Sequence, residues 1–325
     1  MSRRVLVTGG FGYLGGRVVA ELAAIPGTEV VVTSRGGVWP DEHTREGFDG
    51  VEVVPLDLSQ AAPVDLCDGV TDVVHLAAAN EIVSGLQPEV AVDVTTTGTV
   101  RVLERALEAN VRRFVYLSTA HVYGAPLAGH LDERSLCRPA HPYAITHKAA
   151  EDFVLAAGDR GGLEAVVVRL SNAFGWPTWA GVDRWTLVVN DLCRQAVVDR
   201  ALTLRSSGTQ ERDFVCLGDA AAAIRHLLEV PASALGDGIF NLGGRATARI
   251  LDMAERVRAR SAVVLGYTPK LTVGPDPGGV APPPLDFDCS RLDATGFAWR
   301  GDIDGEIDGT LRLCRQAFAS EAAPT

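Results

Sequence analysis

The sequence predicts an α/β fold, a doubly wound parallel sheet with a smaller C-terminal lobe. Three observations predict it. Short β-branched runs alternate with longer helical patterns through the first half, and a glycine-rich turn joins the first strand to the first helix. After Leu170 the texture changes to a segment crowded with Phe174, Trp176, Pro177, Trp179 and Trp185. A chain of 325 residues holds one large α/β domain or two smaller ones, and folding should bury about three quarters of its unfolded surface.

Strands are expected, in order, at residues 4–8 (RVLVT), 29–33 (EVVVT), 51–55 (VEVVP), 72–76 (DVVHL), 114–118 (FVYLS) and 165–170 (AVVVRL). Each is a short apolar run bounded by turn or helix signals, the pattern of a strand buried on both faces. Helical patterns at 15–24, 88–109 and 142–157 supply the right-handed crossovers between them. The glycine- and proline-rich stretch 274–284 is expected to be a loop. No internal repeat is visible.

Composition excludes several classes of function. Apolar residues are 47% of the chain and charged residues 22%, the mixture of an ordinary soluble enzyme. Basic residues number 30 against 41 acids, a formal charge of −11, so no sequence-wide field draws nucleic acid or an anionic membrane, and an anionic ligand needs a local site. The six cysteines form no CxxC pair, and the start runs into a strand without an apolar leader, which leads us to expect free thiols and a cytoplasmic location. No apolar run reaches the ~18 residues of a membrane span. The seven histidines are scattered, so no metal site is expected.

Thr8-Gly9-Gly10-Phe11-Gly12-Tyr13-Leu14-Gly15 sits between the first strand and the first helix and gives TGxxGxxG. Glycine is needed there for a tight turn, for close approach to a pyrophosphate and for helix–strand packing, while the helix N-terminus offers N–H donors. The loop is therefore read as a dinucleotide site in a Rossmann-type sheet, with Gly9, Phe11, Gly12, Tyr13, Leu14 and Gly15 around the phosphates. Residues 1–170 form the dinucleotide-binding part, with a return segment near 212–245, and 171–325 mainly the substrate-binding lobe. At the end of the second strand the usual acid is missing and Thr33-Ser34-Arg35-Gly36 stands there. A hydroxyl and a guanidinium suit a 2′-phosphate, so Ser34 and Arg35 favour NADP over NAD, the alternative being that Arg35 is a solvated loop arginine. Asp57 and Leu58 are placed beside the adenine, and Leu76, Ala77 and Ala78 beside the cofactor backbone, the alanines serving equally as plain packing.

Leu117-Ser118-Thr119-Ala120-His121-Val122-Tyr123-Gly124 closes the fifth strand, and His141-Pro142-Tyr143-Ala144-Ile145-Thr146-His147-Lys148-Ala149-Ala150-Glu151 opens the next helix. Further motifs are HLAA at 75–78, Gly98-Thr99, RLSNAFGWP at 169–177, Arg212-Asp213-Phe214 with Asp219, and Asn241-Leu242-Gly243-Gly244. Over nearly its whole length the chain resembles the extended short-chain dehydrogenase/reductase family, in its branch of NAD(P)-dependent nucleotide-sugar epimerases, dehydratases and 4-ketoreductases. The resemblance implies that Tyr143 is the acid/base, that Thr119 shares the hydrogen bond to the reacting oxygen, and that Ser118 belongs to the same catalytic set. A phenol is a poor base near neutrality unless positive charge favours its phenolate, and the family places a lysine four residues after the tyrosine for this purpose. Here that position is His147, and Lys148 follows. At 100° per residue His147 lies about 40° around the helix from Tyr143 but Lys148 about 140°, so the lysine faces elsewhere. His147 is expected to bond the nicotinamide ribose and, when protonated, to supply part of the missing charge. Thr95, three residues before Gly98, replaces an asparagine common in relatives.

The resemblance also bears on the reaction. The 4,6-dehydratases of the family carry an Asp-Glu pair after the active-site threonine, whereas Ala120 and His121 stand here, so that elimination lacks its acid/base pair. Redox at a sugar carbonyl remains, or epimerisation through a keto sugar. Asn172 and Arg212 are implied to hold the substrate diphosphate, with His121 and Trp185 as further substrate contacts; Arg212 has the alternative of an ion pair with Asp213 or Asp219, and the tryptophans that of core packing. Asp183 and Asn190 are polar candidates in the same stretch. The leading expectation is an NADP(H)-dependent oxidoreductase on a nucleotide-linked sugar. The alternatives are an epimerase holding NAD tightly and a non-catalytic NAD(P)-binding protein with a degenerate YxxxH site. Helices 88–109 and 142–157 are implied to pair copies of the chain into a homodimer.

Overall fold

The protein is described here by a computed structural model, which covers residues 3–40, 45, 48, 50–245, 247–276, 278 and 284–319. The β-branched runs form β1 (Arg3–Thr8), β2 (Thr28–Ser34), β3 (Glu52–Pro55), β4 (Asp72–His75), β5 (Arg113–Thr119) and, after a short β6 (Gly129–Leu131), β7 (Glu164–Leu170). Beyond these come β8 (Asn172–Phe174), β9 (Ala201–Leu204), β10 (Glu211–Cys216), β11 (Ile239–Leu242), β12 (Thr247–Arg249), β13 (Lys270–Val273) and β14 (Leu285–Phe287). Seven strands make the main sheet in the order β11-β7-β5-β4-β1-β2-β3, and every pairing in it is parallel. The order reverses between β1 and β4, where Thr8 pairs with His75. Ligands of doubly wound sheets bind at such a switch point, outside the carboxyl ends of the strands.

The helices are α1 (Gly15–Ala23), α2 (Glu81–Leu86), α3 (Pro88–Ala91), α4 (Gly98–Glu108), α5 (Pro142–Asp159), α6 (Val188–Val198), α7 (Leu217–Glu229), α8 (Ile250–Leu265), α9 (Ser290–Ala294) and α10 (Ile303–Phe318). Alternation along the strands assigns the two faces of the sheet. Val5, Val7, Val30, Val32 and Val115 join α1 and α7 in one core, while Leu6, Val31, Val73, Phe114 and Val167 join α4 and α5 in the other. A third apolar cluster draws on α6, α8 and α10 with β9 and β10, through Leu192, Val257, Leu311, Leu202 and Phe214.

Two expectations need correction. The stretch after Leu170, whose crowded aromatics lead us to expect no strand–helix rhythm, is regular: β10 leads through α7 to β11, which adds the edge strand of the main sheet beside β7. Residues 217–224 of α7 are all buried, so this helix carries no polar face for periodicity to reveal. The helix expected over 88–109 is broken by a π-helical stretch, Val92–Thr97, between α3 and α4. Thr95 explains the break: its hydroxyl accepts from Ala79 N at 3.1 Å while its carbonyl accepts the Thr99 hydroxyl at 2.5 Å. Of the loop expected at 274–284, residues 277 and 279–283 lie outside the described residues, as do Met1 and Ser2. No helix among the described residues is long and apolar enough to cross a membrane. All six cysteines are free.

Candidate active site

The glycine loop begins where β1 ends. Gly9 has φ +69°, and a Cβ there would meet Ala77 N at 2.9 Å, so the loop presses on the end of β4. Gly12 N donates to Gly9 O at 2.8 Å, and a Cβ on Gly15 would lie 2.0 Å from that same oxygen. The turn is thus as tight as the sequence motif requires, and no side chain caps α1, which begins at Gly15. Leu14 is buried. The phenol of Tyr13 donates to Gly175 O at 3.0 Å and to Asn190 Oδ1 at 3.3 Å, and Phe11 O accepts Trp179 Nε1 at 2.8 Å. Any phosphate contact by Tyr13 therefore falls to its backbone.

Thr8 and His75 tie the two switch-point strands together. The Thr8 hydroxyl lies 2.7 Å from His75 Nδ1 and also accepts the amides of Leu76 and Ala77 at 3.2 Å, while His75 Nε2 lies 3.0 Å from the Thr99 hydroxyl. Burial pushes the His75 imidazole down to about 3, with His147 adding to the shift. Leu76, Ala77 and Ala78 are half-buried at this junction. At the end of β2, Ser34 Oγ donates to Val38 O at 2.8 Å and accepts Val38 N at 3.0 Å, so its hydroxyl is committed to a local turn. Arg35 is exposed, and its charge helps to hold the Asp57 carboxyl low, behind the two hydrogen bonds from Ser59 that dominate that shift. Leu58 is buried against α4, where a Cβ on Gly98 would lie 2.8 Å from its own.

Pro142 begins α5 and fixes its first turn, and His141 caps it, Nδ1 accepting Tyr143 N at 3.2 Å. Tyr143 is half-buried in that turn, opposite Thr119 at the end of β5. Burial raises the Tyr143 phenol above its ordinary value; Arg184 pulls it back, Glu81 opposes Arg184, and the Thr119 hydroxyl also favours the phenolate. Thr119 Oγ1 additionally accepts His121 N at 3.2 Å.

His147 stacks edge-on against Tyr143 at 4.5 Å, and its Nδ1 lies 2.8 Å from the Tyr116 hydroxyl. The expected partial cation is not there. Burial first, and then Arg184, push this imidazole down to about 3, so it is neutral near pH 7. Its Nε2 is buried without a hydrogen-bond partner; the Leu117 carbonyl favours the protonated ring without completing a bond to Nε2. Ser118 Oγ is likewise buried and unpartnered. Lys148 turns away to the Asp152 carboxylate.

The substrate candidates divide. Arg212 is half-buried on β10 and, among the described residues, its guanidinium makes no hydrogen bond or ion pair; burial lowers its pKa. Both carboxylates offered as its partners are engaged elsewhere. Asp213 Oδ1 accepts Gly244 N at 2.8 Å and burial pushes its carboxyl up to about 6, while Asp219 accepts Arg300 N at 2.8 Å and Gly301 N at 2.9 Å. The His121 side chain follows Thr119, and desolvation first, with Arg212 and His141 adding to it, lowers its imidazole. Asn172 donates Nδ2 to Asp213 O at 3.0 Å. Trp185, expected at the substrate, instead donates to Ala180 O at 2.8 Å and packs its ring 5.1 Å from Phe318, because the third core offers it an apolar wall. Asn190 is a buried strut to Gly175, and Asp183 accepts Asn80 Nδ2 at 2.9 Å. Sequence reasoning missed Glu81 and Arg184, whose side chains pair at 2.9 Å beside this turn; no motif spacing links positions so far apart.

The NAD dependent epimerase/dehydratase family matches residues 5–243. The chain belongs to this family. As a family member it is an enzyme of the extended short-chain dehydrogenase/reductase type. It is similar to dTDP-D-glucose 4,6-dehydratase of Mus musculus, 26% identical over 79% of this chain and 72% of that one, and to UDP-glucose 4-epimerase of Azospirillum brasilense, 29% identical over 99% of this chain and 96% of that one. Among solved structures, UDP-glucose 4-epimerase of Thermus thermophilus, in complex with NAD, superposes with a TM-score of 0.77 at 26% identity, covering 97% of this chain and 99% of that one. The residues of this family member fit a dinucleotide on their own geometry: a glycine cradle with no room for a Cβ, an uncapped helix start, and two buried polar atoms, His147 Nε2 and Ser118 Oγ, left without partners.

Proposed function

We propose that the enzyme acts on a nucleotide-linked sugar by reversible oxidation of a ring hydroxyl, with Tyr143 transferring the proton and epimerisation as the outcome. The observation that carries this reading is the guanidinium of Arg212, half-buried and, among the described residues, without a partner. A half-buried guanidinium without a carboxylate is an anion site, and its forked donors match a diphosphate. Arg212 and Asn172 hold the diphosphate, which sets the sugar against Tyr143. The Tyr143 oxygen takes the hydroxyl proton and returns it, and Thr119 shares the hydrogen bond. A bound nicotinamide supplies the hydride acceptor. The glycine loop receives its pyrophosphate, Leu76, Ala77 and Ala78 line its path, and His147 and Ser118 bond its ribose. With Tyr116 donating to Nδ1, His147 Nε2 carries the proton and acts as donor.

Epimerisation is favoured on two grounds. Ala120 and His121 offer no carboxylate pair for elimination, and a relative that covers nearly the whole chain is an epimerase. Arg35 favours a second reading, an NADP-dependent reductase, since it is exposed at the end of β2 with no acid in the position that reads a ribose hydroxyl. The committed Ser34 hydroxyl leaves Arg35 to meet a 2′-phosphate without it. Denaturing the purified enzyme and identifying the released dinucleotide separates the two: near-stoichiometric NAD is the expected result, and a protein that retains nothing but reduces a keto sugar with NADPH overturns epimerisation.

The same reading includes a division of labour between residues 1–170, with the return segment 212–245, and the remainder. It includes a homodimer, supported by the exposed apolar side chains Val92, Ile145 and Phe153 on the π-helical stretch and α5. A cytoplasmic location is supported by the free thiols.

A further inference from the structure

We infer that Arg184, clipped to Glu81 beside the first turn of α5, is the fixed cation of the Tyr143 site and acts as a positioning residue that favours the phenolate. This rests on the reading of Tyr143 as the proton-transfer group and names the charge that serves it in a chain without the usual lysine.

Two adjacent bonds hold the cation in place. Asn80 caps α2, its Oδ1 accepting Val83 N at 2.8 Å, and its Nδ2 donates to Asp183 Oδ2 at 2.9 Å. The next residue on each side completes a second clamp, Arg184 Nη1 to Glu81 Oε2 at 2.9 Å. α2 itself presses on the start of α5: a Cβ on Gly85 would lie 3.1 Å from Nε2 of His141, the residue that caps α5 one position before Pro142. Residues 183 and 184 are therefore fixed to the start of α2, the helix that presses on the start of α5. Glu81 engages Arg184 through one arm, and among the described residues the Arg184 side chain makes no other hydrogen bond.

The groups around the phenol leave the role to Arg184. On its own helix His147 is neutral and Lys148 is held by Asp152. From β5 come Tyr116 and Thr119, both uncharged, and at the cap His141 gives Nδ1 to a backbone amide. From α2 comes Glu81, whose charge works against the phenolate, and from the segment before α6 comes Arg184, whose charge works for it and outweighs Glu81. The same cation keeps a proton off His147, as expected if both rings face it. A cation within several ångströms stabilises a phenolate without touching it.

The test is a phenolate absorbance titration of the full-length, cofactor-free protein, with the Tyr143 signal isolated by subtracting Tyr143→Phe. Arg184→Gln should raise the Tyr143 midpoint by about one pH unit or more, and Arg184→Lys should leave it near wild type. The rising limb of kcat against pH should move with that midpoint, with KM for the nucleotide sugar unchanged. Arg184→Gln titrating with wild type, or Arg184→Lys moving as far as Arg184→Gln, overturns the inference. If Arg184→Gln does not fold, Glu81→Gln decides: a lowered midpoint supports the inference, and an unmoved or raised one overturns it. Inactivity of the wild-type protein on nucleotide sugars would defeat the functional reading and leave the titration to judge Arg184.

Discussion

His147 occupies the position where the family resemblance implies a lysine, and its environment decides what it does there. The departure is legible from spacing alone, because four residues set it on the Tyr143 face and five set Lys148 off it. Its neutrality is not legible, since it arises from burial under β5 and from Arg184, which reaches it only through the fold. Burial holds His75 neutral too, with His147 adding to the shift. Both imidazoles have folded pKa values near 3 against an ordinary 6.5, so between those limits the unfolded chain binds more protons than the folded one. Stability contributed by these groups is therefore fully present above pH 6.5 and is lost as pH falls towards 3, at about 1.4 kcal/mol per pH unit for each histidine. Denaturant unfolding of wild type and His75→Asn between pH 7 and about 4.5 should show a shallower pH slope in the variant; equal slopes would mean that His75 is not buried as described.

At the scale of elements, the glycine loop and the parallel strands were the most legible features, because their sequence signals are local and their burial is two-sided. The six strand expectations each fell within a residue of an observed strand end. Two elements resisted for opposite reasons. α7 is buried through residues 217–224 and so lacks periodicity, while the break before α4 depends on Thr95 serving Ala79, a partner from another loop. The loop carries the prediction of this scale. A Cβ on Gly15 would lie 2.0 Å from Gly9 O, a backbone atom that cannot swing aside, so Gly15→Ala must distort the turn or shift α1. We expect a loss of stability of about 1–3 kcal/mol from overpacking, read as a lower thermal midpoint, together with loss of dinucleotide binding by calorimetry. Wild-type binding in this variant would show that the turn does not shape the phosphate site.

Across the whole molecule, the sequence shows where the texture changes but not how the two parts are joined. Glu306 of α10 accepts Gly218 N at 2.8 Å, Trp176 N at 3.3 Å and Arg17 Nη2 at 2.9 Å, drawing the C-terminal helix, α7 and α1 to one buried carboxylate. A cleft of about 610 Å3 opens there, lined by Arg17, Asp219, Arg300 and Glu306 among others, and its carboxylates are already satisfied by internal donors. Arg212 is in the opposite condition, with a charge and, among the described residues, no side-chain partner, which is why the active site is proposed beside it and not in that cleft. Tyr13–Asn190, Trp179–Phe11, Asn80–Asp183 and Arg184–Glu81 complete the seam, and each joins residues too distant in sequence for any motif to announce. On the proposed reading, the dinucleotide would lie on the glycine loop of the sheet and the diphosphate would be held at Arg212. The most direct test is a single-turnover record of nicotinamide reduction after the dinucleotide-loaded protein is mixed with a UDP-hexose, in wild type and in Tyr143→Phe. Tyr143→Phe should slow reduction by roughly 10²- to 10⁴-fold while UDP-hexose binding stays unchanged, whereas equal rates in the two proteins would contradict the assignment of proton transfer to Tyr143.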